Sequence, residues 1–181
     1  MHKLKRLFEK LADHFFILIK SGDEYARHKG VMVGKNCRII IREFGTEPWL
    51  ISIGDNVTIS DGVKLLTHDG STWLIRDNAG RRYLYKKIKI GNNVFIGVNS
   101  VIMPGVVIED NVIVAAGSIV TKSVPQGCIV GGNPAKKIGA FDKYQSDVLQ
   151  KYVSDKEMDK SKSYRDRINA VVDTSIKNYL E

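Results

Sequence analysis

From Ile90 onward, aliphatic residues recur at every sixth position: Ile90, Ile96, Ile102, Ile108, Val114 and Val120. Four residues after each stands a small or branched side chain, namely Val94, Ser100, Val106, Val112, Ser118 and Val124. Each lies two positions before the next aliphatic residue, so the two face the same way, as in a short strand. The position three after each aliphatic residue holds Asn93, Asn99, Gly105, Asn111, Gly117 and Ser123. Most of these tolerate positive φ, so the chain can turn sharply there. Short strands joined by tight corners at a fixed six-residue period predict an all-β solenoid, a parallel β-helix in which each coil buries its aliphatic residues on the last. With three six-residue units to a triangular turn, residues 90–125 make two coils.

The pattern begins earlier, at Val33 and Ile39, and then slips. Ile53 follows Ile39 by fourteen residues where twelve would hold register, so the extra residues must bulge out between Phe44 and Leu50, a stretch containing Gly45 and Pro48. Register resumes with Ile53, Ile59 and Leu65, and His68 takes the corner position of the last unit. After Gly70 the repeat stops. Two alternating runs, Trp73–Arg76 and Arg81–Lys86, flank Asp77-Asn78-Ala79-Gly80 and predict a hairpin leaving the solenoid. Insertions in solenoids gather on one face, often the binding face. Trp73, Tyr83 and Tyr85 with Arg76, Arg81 and Arg82 make a richer composition than a passive insertion needs. Beyond the last unit, Gly131, Gly132 and Pro134 end the repeat.

The flanks read as helical. Leu4, Leu7, Phe8, Leu11, Phe15 and Leu18 fall on one face over residues 3–20, with Lys3, Lys5, Arg6 and Lys10 outside it and Gly22 as a stop. This amphipathic helix is expected to cover an open end of the solenoid or a neighbouring subunit. Resting its basic flanks on an anionic membrane is the alternative, and the only route to a membrane. Tyr164, Ile168, Val171, Val172, Ile176 and Tyr179 form a second apolar stripe after a polar stretch over 154–163. The expected organisation is an N-terminal helical segment (1–30), a β-helix domain (31–140) with an external loop (71–87), and a C-terminal helical tail (141–181).

The chain of 181 residues carries 28 basic and 20 acidic side chains. Residues 141–181 hold eight of each, so the excess lies in the repeat-bearing part and favours anionic partners. No recognition motif or basic stripe with interleaved aromatics points to nucleic acid. Two cysteines, Cys37 and Cys128, are too few for a disulfide framework. As buried free thiols they fit a reducing, cytoplasmic setting. The apolar run Phe15–Ile19 is too short to span a bilayer.

The stretch IGNNVFIGVNSVIMPGVVIEDNVIVAAGSIVTKSVPQGCIVGGNPAKKIG resembles the hexapeptide-repeat acyltransferases, in particular their maltose and galactoside O-acetyltransferase branch, and the resemblance covers roughly residues 33–138. It implies a left-handed β-helix, against the usual right-handed crossover preference. It also implies a homotrimer with active sites between neighbouring coils, and acetyl-CoA as donor with no metal. Residue by residue, it implies His68 as the catalytic base and Gly97, Val98 and Ala116 along the pantetheine. Thr121 and Lys122 would lie near the nucleotide, and Pro134 and Lys136 near the adenosine phosphates. Asp69 should point away from His68, leaving a backbone carbonyl to hold the ring. The loop after His68 is not the usual maltose or galactoside one, so Trp73, Arg76, Tyr83 and Tyr85 become the candidate acceptor contacts.

Other proteins of this shape include zinc carbonic anhydrases. These need three converging histidines, and here only His68 of the four histidines lies in the repeats. A purely structural solenoid would show regular polar rows, where these faces are irregular. The expected activity is acetyl-CoA-dependent O-acetylation of a saccharide hydroxyl, for a surface polysaccharide such as capsule or lipopolysaccharide. N-acetylation of an amino sugar or another small acceptor is the alternative, and transfer from an acyl carrier protein is a further option within the fold.

Overall fold

A computed structural model describes residues 20–177 and residue 179. The amphipathic helix expected over residues 3–20 lies outside the described residues but for Lys20. Gly22, the expected stop of that helix, begins another: α1 (Gly22–His28) is opened by Ser21, whose amide donates to the Glu24 carboxylate at 3.1 Å. Gly22 is there because of a close approach, since a Cβ on it would stand 1.6 Å from the Ile39 carbonyl oxygen. Tyr25 and Ala26 are buried.

Five successive turns of chain follow. The first contributes β1 (Met32–Val33) and β2 (Arg38–Ile39), and the second β3 (Ile51–Ile53), β4 (Thr58–Ile59) and β5 (Lys64–Leu65). An external hairpin, β6 (Arg76–Asp77) and β7 (Gly80–Arg81), intervenes. The third turn has β8 (Ile88–Ile90), β9 (Val94–Ile96) and β10 (Val101–Ile102), and the fourth β11 (Val107–Ile108), β12 (Val112–Val114) and β13 (Ile119–Val120). The fifth ends in β14 (Cys128–Gly131). These strands stack in parallel into three faces, ordered β1-β3-β8-β11, β2-β4-β9-β12-β14 and β5-β10-β13. The architecture is the parallel β-helix that the six-residue period predicts.

The register follows the repeat. Ile90 pairs with Ile108, Ile96 with Val114 and Ile102 with Val120, one coil of eighteen residues apart. All six aliphatic positions and their six partners are buried. Ser100 and Ser118 replace valine on that interior, and both hydroxyls donate to the Ala115 carbonyl, at 3.1 and 2.5 Å, which offsets the cost of burying them. Asn93, Asn99, Gly105, Asn111 and Gly117 all have positive φ. Ser123 is not among the positive-φ residues, and its hydroxyl instead accepts from the Val107 amide at 3.0 Å. Between the first two coils Ile39 pairs with Ile59, a step of twenty. The two added residues are taken up in the bulge, which is pinned by the buried Phe44 and Pro48.

Three further differences from the expectation have plain causes. Cys37 is only half-buried, because it sits in the first coil, and its thiol donates to the Gly54 carbonyl at 3.1 Å; Cys128 is buried. The segment expected to end the solenoid first adds a parallel rung, β14, and then returns antiparallel as β15 (Lys136–Ala140). In the tail, α2 (Phe141–Lys151) precedes the expected stripe, and α3 (Tyr164–Asn169) takes in only Tyr164 and Ile168 of it. Val171, Val172, Ile176 and Tyr179 lie beyond the helix end, since Ser163 caps its start and it closes at Ala170. The chain divides into two compact units, residues 1–142 and 143–181. Among the described residues no helix is long and apolar enough to cross a membrane.

Candidate active site

His68 follows β5, where the chain leaves the solenoid. The stem of the external loop is an antiparallel pair: the Lys86 amide donates to Thr67 O at 2.8 Å, His68 bridges Tyr85, and the Asp69 amide donates to Leu84 O at 3.2 Å. The Asp69 side chain is engaged by its own loop. Its carboxylate accepts from the Ser71 hydroxyl (2.7 Å) and amide (2.9 Å), which, with the charge of the neighbouring His68, hold it below the usual carboxylate range; the same contacts start a 3-10 turn over Gly70–Leu74.

A carboxylate, not the expected backbone carbonyl, holds the ring. Glu47 Oε2 stands 2.9 Å from His68 Nδ1 and also accepts from the Thr67 hydroxyl at 2.7 Å, while Oε1 accepts from Thr46 at 2.5 Å. The Glu47 side chain is only 14% exposed. Burial pushes its pKa up, but the hydrogen bonds from Thr46, Thr67 and His68, and the charge of His68, outweigh it and leave the carboxyl below its ordinary value. An ionised carboxylate can only accept, so whenever the ring is neutral Nδ1 carries its proton and Nε2 keeps its lone pair. Glu47 lies in the bulge between the buried Phe44 and Pro48, and the step of twenty that joins Ile39 to Ile59 sets it over Thr67. That step was readable in the sequence and would have found this residue.

His68 opens onto a cleft of about 340 Å³ lined by Leu66, Asp69, Gly70, Leu84, Met103, Pro104 and Thr121. On the loop, the aromatic and arginine candidates form one continuous stack. Arg76 and Arg81 lie 4.5 and 4.7 Å from the Trp73 ring, and Arg81 lies 4.5 Å from Tyr83. Tyr83 stacks on Tyr85 at 6.2 Å, and Tyr85 meets His68 at 6.1 Å. Trp73, Arg76, Tyr83 and Tyr85 are all exposed.

The candidates drawn from the resemblance to the transferases fall in three places. Thr121 joins His68 in the cleft, and Lys122 follows it. Gly97, Val98 and Ala116 lie at the opposite ends of strands β10 and β13 from Met103 and Thr121. There Gly97 is packed so closely that a Cβ would stand 2.5 Å from the Ala116 amide nitrogen. Pro134 and Lys136 lie on the closing return after β14, both exposed. A groove of about 150 Å³ brings Lys122 together with Ala135 and Lys137, and Lys136 is not among its lining residues. One chain therefore joins Thr121 to His68 but separates it from Gly97, Val98 and Ala116.

Residues 87–122 match the hexapeptide repeat of succinyl-transferase. The chain is 44% identical over 150 residues to protein CapG of Staphylococcus aureus, an overlap covering 81% of this chain and 84% of CapG. It superposes on a maltose O-acetyltransferase from Clostridium difficile 630 with a TM-score of 0.52 and 33% identity, over 61% of this chain and 59% of that one. A galactoside acetyltransferase in complex with coenzyme A gives a TM-score of 0.50 and 30% identity, over 70% of this chain and 61% of that one. The chain thus spans about three fifths of the length of these two structures. With the coil register, the repeat match and the extent of likeness to CapG together, this protein belongs to the hexapeptide-repeat acyltransferase family.

Proposed function

We propose that the protein transfers the acetyl group of acetyl-CoA to a hydroxyl of a saccharide, with His68 as general base and Glu47 as the residue that orients it. The observation that carries this reading is the Glu47–His68 pair at the mouth of the cleft. An alcohol is a poor nucleophile near neutral pH, so the reaction needs a positioned base. The bare Nε2 of His68 takes the hydroxyl proton as the sugar oxygen bonds to the acetyl carbonyl carbon. Glu47 stabilises the imidazolium so formed, and His68 returns the proton to the sulfur as the carbon–sulfur bond breaks. The transfer is direct, with no acyl-enzyme.

The donor's fit rests on the exposed Thr121 in the cleft and on Lys122 and Lys137 in the adjoining groove, where ammonium groups can meet phosphates as point charges. We assign Gly97, Val98, Ala116, Pro134 and Lys136 to the same molecule. Because one chain holds Gly97 and Val98 away from His68, the site is read as lying between neighbouring subunits of a left-handed, trimeric β-helix. The loop residues Trp73, Arg76, Tyr83 and Tyr85 are read as acceptor contacts. We assign the protein to the cytoplasm, where its free thiols persist, and to surface polysaccharide synthesis.

A saccharide panel with acetyl-CoA tests the activity. Thiol release should depend on one class of sugar, and the product should carry an acetyl ester by NMR. Amide formation on an amino sugar, or thiol release indifferent to any acceptor, would contradict O-acetylation.

A further inference from the structure

We propose that the external loop holds a site for an oxyanion borne by the acceptor, so that the saccharide acetylated is an acidic one. The inference rests on the transferase reading above and narrows its substrate class.

The guanidinium groups of Arg76 and Arg81 share one indole, 4.5 and 4.7 Å from the Trp73 ring, and Arg81 also lies over Tyr83. Stacking occupies the flat faces of a guanidinium and leaves its N–H edge free for two-point contact with a carboxylate or phosphate. Of the loop's three arginines, Arg82 is paired with Asp77. Among the described residues neither Arg76 nor Arg81 has an ion pair, and the hairpin's own carboxylate, Asp77, is engaged by Arg82 and by the Ala79 amide. The enclosed Arg81 Nε has no hydrogen-bond partner, an unmet donor within the stack. Two like charges thus share one ring with no counter-charge of the protein's own, and an anionic ligand would supply it.

The stack also has a direction. From Arg81 it runs through Tyr83 and Tyr85 to His68. An acceptor anchored by its anion at the arginines would lay sugar rings along the tyrosines and bring a hydroxyl to Nε2. A neutral sugar leaves the arginines unused.

The test compares D-glucuronate, D-glucose 1-phosphate and methyl D-glucoside by ligand-observed NMR on the full chain with coenzyme A present, and measures coenzyme A binding separately by calorimetry. One charged, two-point contact predicts that at least one anion binds about tenfold more tightly than the neutral glucoside. That preference should vanish in Arg76→Gln/Arg81→Gln with the affinity for coenzyme A unchanged. Which anion is preferred separates a sugar carboxylate from a sugar phosphate. Equal binding of all three sugars by the wild type would overturn the proposal. So would a double variant that keeps the anion preference but loses coenzyme A, since the arginines would then serve the donor's phosphates. Failure of the wild type to bind coenzyme A at all would instead overturn the transferase reading, while the sugar comparison would still decide the anion site.

Discussion

The carboxylate of Glu47 stands 2.9 Å from Nδ1 of His68, across twenty-one residues and one coil of the β-helix. The pair comes from two departures from the repeat, the two-residue bulge of the first coil and the exit of the loop in the second. The regular coils between and below them supply the fixed spacing.

Glu47→Gln should leave the fold and the KM for acetyl-CoA unchanged and lower kcat by at least about tenfold. A neutral amide can present its NH₂ group to Nδ1, which puts the ring proton on Nε2, where the base is needed. Steady-state kinetics of the variant with its acceptor would check this. A kcat within a factor of two of wild type would remove Glu47 from the mechanism.

Stability should depend on pH through the same carboxyl. The pKa of Glu47 is lowered in the folded protein, so its contribution is fully present above the unfolded carboxylate value and is lost as pH falls through the folded one. Thermal unfolding of wild type and Glu47→Gln should therefore differ above the ordinary glutamate range and converge in acid, once the carboxyl is protonated in the folded protein too. A gap that persists after the carboxyl is protonated would contradict the sign.

Lys122, Lys136 and Lys137 should act on donor affinity rather than on turnover. Alanine at Lys122 and Lys137, which share a groove, should raise the KM for acetyl-CoA and weaken its salt dependence, with kcat held within a few-fold. Lys136→Ala measured alongside separates the two neighbours on β15. Unchanged donor binding in all three would leave them as solvated surface charges.

Ile102 is fully buried between Leu65 and Val120. Ile102→Asp removes roughly 1.5–3 kcal/mol of burial and puts an unpaired charge in its place, so the chain should fail to fold. Circular dichroism and sedimentation would show it. Wild type should sediment as a trimer, and a stable monomer would contradict a site shared between subunits.

The regular part of the fold was legible because two residue classes share one spacing, aliphatic side chains for burial and Asn or Gly for the corner. Ile96 and Asn99 each state their environment, and their φ and exposure follow. The site was less legible. His68 and the loop aromatics stood out by position and composition, but Glu47 lay in a stretch that breaks the period, so its partner appears only when the step of twenty is carried across the bulge. The tail misled for a different reason. A stripe such as Val172 and Ile176 is a helix signal only where a cap does not close the helix first, and here it ends at Asn169.

The most direct measurement is acetyl transfer by His68→Ala. Losing a general base typically costs about 10²–10⁴ in rate. The variant should remain folded, bind acetyl-CoA with wild-type affinity by calorimetry, and release thiol in the presence of the acceptor more slowly by about that factor. A His68→Ala protein that turns over its acceptor within a few-fold of wild type would contradict the account.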